Sequence, residues 1–185
     1  LAGKHVIAAA GNGTQNLDSA SFNNAFNRSV RDSGSIIVGA TNGVTLARAS
    51  FSNYGTIVDA NGWGFNVTTT GYTDLFFPNS DPRQKYTAVF SGTSRATPIV
   101  TSASAATISA AKQQLGRTIT IAELRALLRA NGTDVPGGLI GRRPDLAQLF
   151  GAIGLPNGLT LSNEANLGQT QTLNIGGSPG ESYFL

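Results

Sequence analysis

Residues 89–98 read V-F-S-G-T-S-R-A-T-P, and this run decides how the rest of the chain is read. Thr87-Ala88-Val89-Phe90 is a brief β-branched and aromatic segment that predicts a strand. From about Ala96 to Gln114 the residues are Ala, Ser, Thr, Ile and Val on nearly every side, which predicts a buried helix. Pro98 is expected in the first turn of that helix, where a lost N–H costs little, and Gly116 is expected to stop it. Ser94 therefore sits where a strand hands over to a helix. Such a junction holds a hydroxyl rigidly, and free N–H groups and a partial positive charge gather at the helix N-terminus. Ser94 also has a plainer reading as an ordinary N-cap, since Ser is favoured there.

Upstream, His5–Ala10 is a short apolar run ended by Gly11-Asn12-Gly13, and it predicts a buried strand entering a turn. Residues 14–34 are polar and predict a long surface loop. Ser35–Ala40 predicts a second buried strand, Ile57–Ala60 a third and Asn66–Thr70 a fourth. Residues 71–84, with two prolines, predict an irregular loop. Downstream, Thr120-Ile121-Ala122-Glu123 is a capping-box pattern opening a helix with Ile121, Leu124, Leu127 and Leu128 on one face. That helix closes at Asn131-Gly132, and Pro144-Asp145 opens a last short one with Leu146 and Leu149 inward. After Pro156 the composition turns polar and Gly-rich. Leu159–Ser162 and Thr172–Ile175 predict strands, so 1–155 is expected to be one domain and 156–185 the start of a β-rich extension.

Two motifs carry chemistry. A Gly-Thr-Ser-x-Ala-Thr-Pro run at 92–98 and the A-A-A-G-N-G run at 8–13 lie in this order, with Ser94 and Asn12 82 residues apart. R-A-S-F-S-N-Y-G at 48–55 falls between them. Together they resemble the subtilisin-like serine proteases over roughly residues 1–150. The resemblance implies an α/β fold, a parallel sheet flanked by helices, of which this chain would carry the C-terminal part. It also implies hydrolysis of peptide bonds through an acyl-enzyme at Ser94, with Asn12 donating its side-chain N–H₂ in the oxyanion hole. Ala9, Ala10, Gly11 and Thr93 are expected beside the substrate. Arg95 stands where the family often has Met, and Ile99 where it often has His.

In that family the triad Asp and His precede the oxyanion Asn. This chain begins 11 residues before Asn12 and has a single histidine, His5. An extended chain at about 3.3 Å per residue puts His5 roughly 20 Å from Asn12, too far for a base. The expected partner is therefore a complementary N-terminal fragment carrying the Asp and His, with a protein or peptide as substrate. The chain begins with Leu and no signal-peptide pattern precedes it, so it is expected to be processed or cut from something longer.

Composition narrows the alternatives. There is no Cys, so thiol nucleophiles, disulfides and thiolate metal sites are excluded. The 13 Lys and Arg are scattered at net charge +3, which argues against a nucleic-acid surface. No apolar run reaches the ~20 residues that span a bilayer, and a secreted or cell-surface location is expected. No cofactor or metal site is expected. Calcium is common in the family, but no D-x-D-x-D-G run is present, and Asp18, Asp32, Asp59, Asp74 and Asp81 read as loop or turn carboxylates. Arg142-Arg143 reads as a solvated pair. A lipase or esterase needs a His after its nucleophile, and none follows Ser94. The remaining alternative is a catalytically inert surface or interaction module that retains a protease scaffold.

Overall fold

A computed structural model of the chain describes residues 4–155, 160–161 and 173–174. Three parallel strands form the central sheet in the order β1 (Ile7–Ala9), β2 (Ile36–Thr41) and β3 (Ala60–Trp63). The register pairs Ile7 with Ile36 and Val38 with Ala60. A second, antiparallel pair joins β4 (Val67–Thr70) to β5 (Tyr86–Phe90). Strand β5 leads directly into the long helix α1 (Thr93–Leu115), followed by α2 (Ile121–Ala130) and α3 (Leu146–Ala152). This is an α/β architecture with a parallel sheet flanked by helices.

The two-residue period of β2 sorts its side chains between two cores. Ile36, Val38 and Ala40 are fully buried in the cluster that contains Ala96, Val100 and Ala111 of α1, Leu124 and Leu128 of α2, and Leu149 of α3. Ile37 faces the opposite way, into a smaller cluster built on Leu17, Ile57, Val58, Val135 and Ile140. Helix α1 packs across all three strands. It can do so because a Cβ at Gly62 would lie 2.7 Å from the Ala96 carbonyl oxygen. The glycine lets strand and helix approach at the first turn of α1.

Local expectations fail where a distant segment decides the outcome. The third strand lies at Ala60–Trp63 rather than at 57–60. Its Asn-Gly pair reads locally as a turn, but pairing with Val38–Thr41 overrides propensity. Helix α1 starts three residues earlier than expected, so Pro98 lies in its second turn. Thr120 does cap α2 through the Glu123 N–H, at 3.2 Å. The Glu123 carboxylate, however, bonds Arg117 at 2.6 Å instead of closing the box. Asp59 is no loop carboxylate: it is fully buried among arginines. Nor is the Arg142-Arg143 pair simply solvated, since Arg142 bonds the Gly132 carbonyl and Arg143 pairs with Thr133. Beyond Leu155, β6 (Thr160–Leu161) and β7 (Leu173–Asn174) pair antiparallel. The rest of the expected 156–185 extension lies outside the described residues.

Candidate active site

Asn12 and Ser94 meet at the start of α1. Asn12 follows β1 directly in the turn that leaves the sheet, and its side-chain Oδ1 accepts hydrogen bonds from the Thr93 N–H and the Thr93 hydroxyl, both at 2.9 Å. Thr93 Oγ1 in turn accepts from the Gly11 N–H at 3.1 Å. The loop thus supplies from 81 residues away the cap that the helix lacks in its own sequence. Gly92 occupies the N-cap position and makes no side-chain capping bond. This explains the early start of α1. It also removes the plain reading of Ser94, which lies one residue inside the helix rather than capping it.

Fixing the Asn12 oxygen on Thr93 turns its amide nitrogen the other way. A Cβ built on Gly92 would fall 3.2 Å from Asn12 Nδ2 and 3.4 Å from Ser94 Oγ. The two side chains therefore flank one small space, kept open by a glycine at φ +134°, a conformation that disfavours any side chain. Ser94 is exposed. Among the described residues, neither its hydroxyl nor its backbone N–H makes a hydrogen bond, while the Arg95 and Ala96 N–H groups are both taken by the Gly92 carbonyl. The Ser94 hydroxyl and the Asn12 amide nitrogen thus border one space, and the neighbouring Ser94 N–H has no partner among the described residues. Chemically, that arrangement can hold an oxygen on which negative charge develops next to an attacking alcohol.

The turn is held from a second side by Asn53. Its Oδ1 accepts from the Gly13 and Gln15 N–H groups at 3.0 and 2.8 Å, and its Nδ2 donates to the Ala10 carbonyl at 2.8 Å. Asn53 also donates its own N–H to the Gly11 carbonyl at 2.9 Å. Sequence reasoning missed this clamp, although Asn53 sits inside the quoted 48–55 run. Of the residues expected beside a substrate, Ala9 is exposed and Ala10 and Gly11 are half-buried along the exit of β1. Thr93 is different: it is 1% exposed and commits its polar atoms to Asn12 and Gly11. Its place is behind Asn12, orienting it, rather than on the wall of a cleft.

His5 lies elsewhere. It lines an apolar cleft of about 400 Å³ with Val6, Ile7, Thr101, Ser104, Ala105 and Ile108. Those helix residues are seven or more positions past Ser94, which at ~1.5 Å per residue is ~10 Å or more down α1. The structure therefore brings Asn12 and Ser94 together and leaves the one histidine apart.

The model of the subtilase family matches residues 2–152. An extracellular serine proteinase of Thermus sp. (strain Rt41A) is 40% identical over 104 residues, which are 56% of this chain and 21% of that protein. The chain thus spans about a fifth of that relative's length. Among solved structures, the self-cleaved protease domain of PatA shares 21% identity at a TM-score of 0.60, covering 82% of this chain and 51% of its own. Proteases from Pseudoalteromonas arctica PAMC 21717 share 25% at a TM-score of 0.60, with 82% and 43% covered. A lanthipeptide protease shares 18% at 0.60, with 82% and 50% covered.

Proposed function

The chain belongs to the subtilase family, and from that premise we propose that it carries the nucleophile and the oxyanion donors of a serine endopeptidase. Ser94 Oγ attacks the carbonyl carbon of a peptide bond as a general base takes the hydroxyl proton. The carbonyl oxygen becomes an oxyanion between Asn12 Nδ2 and the Ser94 N–H. Collapse of the tetrahedral intermediate breaks the C–N bond. The base returns the proton to the leaving amine, and an acyl-Ser94 ester remains. Water, deprotonated by the same base, then attacks the ester; the Oγ–C bond breaks, the base returns the proton to Ser94 Oγ, and the acid is released. The observation that supports this reading is that Asn12 Nδ2 and the Ser94 hydroxyl border the same space at Gly92, with the Ser94 N–H unpartnered among the described residues.

His5 lies too far along α1 to be the base. We assign the triad His and Asp to a segment outside residues 1–185, on the same protein or a separate chain. Ala9, Ala10 and Gly11 would line the substrate, and no cofactor enters the reaction. The extracellular relative supports a secreted or cell-surface location; no helix among the described residues is long and apolar enough to cross a membrane. The test is labelling of the full-length protein with a fluorophosphonate, with the adduct mapped by mass spectrometry. Modification of Ser94, abolished in Ser94→Ala, is expected. A folded, full-length protein that takes no label at Ser94 would be the inert scaffold instead.

A further inference from the structure

Arg95 is placed against every ordinary preference. It is 3% exposed, and it stands in the first turn of α1, where the helix end is already positive and cations are disfavoured. Its Nη1 donates to the Phe90 carbonyl, and its guanidinium lies 6.0 Å from the Phe90 ring. Its Nε and Nη2 are buried with no hydrogen-bond partner among the described residues. None of the ion pairs among those residues includes it. Burial pushes the guanidinium below its ordinary pKa, though arginine remains charged at neutral pH. A desolvated, uncompensated cation is costly for a fold. Here it sits one residue after Ser94.

We propose that Arg95 is an electrostatic determinant of the reaction, a fixed positive charge whose field stabilises the negative charge that develops between Asn12 and the Ser94 N–H. A side chain of ~7 Å, on a Cα 3.8 Å from that of Ser94, keeps the guanidinium within about 11 Å of the Ser94 Cα. A unit charge at that distance, at an effective dielectric of about 20, is worth roughly tenfold in a rate or binding constant. The field is preorganised, because the guanidinium is held on the Phe90 carbonyl before any substrate arrives. Uncharged substrate gains nothing from it, whereas the tetrahedral anion does.

This inference rests on the proposed protease reading, and the experiment separates the two. Inhibition by a peptide boronic acid, which forms a tetrahedral anion on the serine, is compared with KM for the matching peptide amide in the full-length protein. Arg95→Gln and Arg95→Met should each weaken boronate binding about tenfold and lower kcat by a similar factor, with KM unchanged. Arg95→Lys should keep most of both. Arg95→Met should melt no lower than the wild type, because it removes an orphaned charge. The inference is overturned if the neutral variants bind boronate as well as the wild type does. It is equally overturned if Arg95→Lys loses as much as Arg95→Met, which would make shape the cause. A large drop in melting temperature for Arg95→Met would reveal a resident carboxylate partner and overturn it too. If the wild type itself binds no boronate, the protease reading falls and this inference with it.

Discussion

At Asp59 every carboxylate oxygen has a partner, whereas at Ser94 a hydroxyl and two N–H donors have none among the described residues. Both places tie together segments far apart in sequence. Asp59 is fully buried; its Oδ2 accepts from Arg28 at 2.5 Å and from the Ile37 N–H at 2.9 Å, and its Oδ1 accepts from Arg129 at 2.9 Å. The Gly92 junction also ties distant strands and loops, through Thr93, Asn12 and Asn53, but that bonding leaves the Ser94 hydroxyl, the Ser94 N–H and Asn12 Nδ2 unused among the described residues. The difference separates a structural knot from the proposed site. A knot saturates its polar groups because each unmet one costs stability. A site leaves chosen groups unmet, holds them rigid from behind, and relies on the ligand to satisfy them.

That contrast can be broken in stages. Ser94→Ala should lower kcat by about 10⁶-fold, the scale known from subtilisin for loss of the nucleophile, and leave the melting temperature within a degree or two. A large fall in melting temperature would mean that Ser94 belongs to the knot class. Asn12→Ala should cost about 10²–10³-fold in kcat with little change in KM, again a magnitude established on a subtilisin. Asn12→Asp keeps the oxygen that accepts from Thr93 but sets a negative charge toward the oxyanion. It should hold its melting temperature better than the alanine variant while losing at least as much activity.

Asp59→Ala inverts the pattern. Leaving Arg28 and Arg129 without their buried partner should cost about 3 kcal/mol, or ~6–12 °C in Tm, with kcat nearly unchanged. Asn53→Ala stands between the two classes. Loosening the 10–15 turn should lower kcat roughly tenfold and stability by about 1–2 kcal/mol. The smallest effect is acid dependence at Asp32. Hydrogen bonds from the Arg125 side chain, then from the Gly34 N–H, hold its carboxyl at about 2, below the ordinary 3.8. A depressed carboxyl stabilises the fold above its unfolded pKa and loses that contribution as pH falls from about 4 through about 2. Because Asp32 is exposed, the wild type and Asp32→Asn should differ only slightly in Tm at pH 6 and converge only below about pH 2.

How much of this was legible in the sequence follows from where each interaction lies. Ser94 and Asn12 are carried by short runs whose residue types speak locally: glycines that open a turn, small residues that let a helix enter the core. The buried face of α2 follows from hydrophobic period, and the α/β fold from the family resemblance that those runs carry. What the sequence concealed depends on partners many residues away. The start of α1 is set by Asn12, the strand at Ala60–Trp63 by its pairing with β2, and the clamp on the Asn12 turn by Asn53. Asp59 looked like a turn carboxylate because its two arginines lie 31 residues before it and 70 after. Arg95 was visible as a departure from the family, but its orphaned nitrogens required coordinates.

The central claim is that Asn12 Nδ2 and the Ser94 N–H face the same oxygen. The most direct measurement is a crystal structure of the full-length protein with a phosphonate bound at Ser94. The expected result is a phosphonyl oxygen about 2.7–3.1 Å from both donors. An adduct whose oxygen points away from Asn12, with the Thr93–Asn12 bonds intact, would contradict the account.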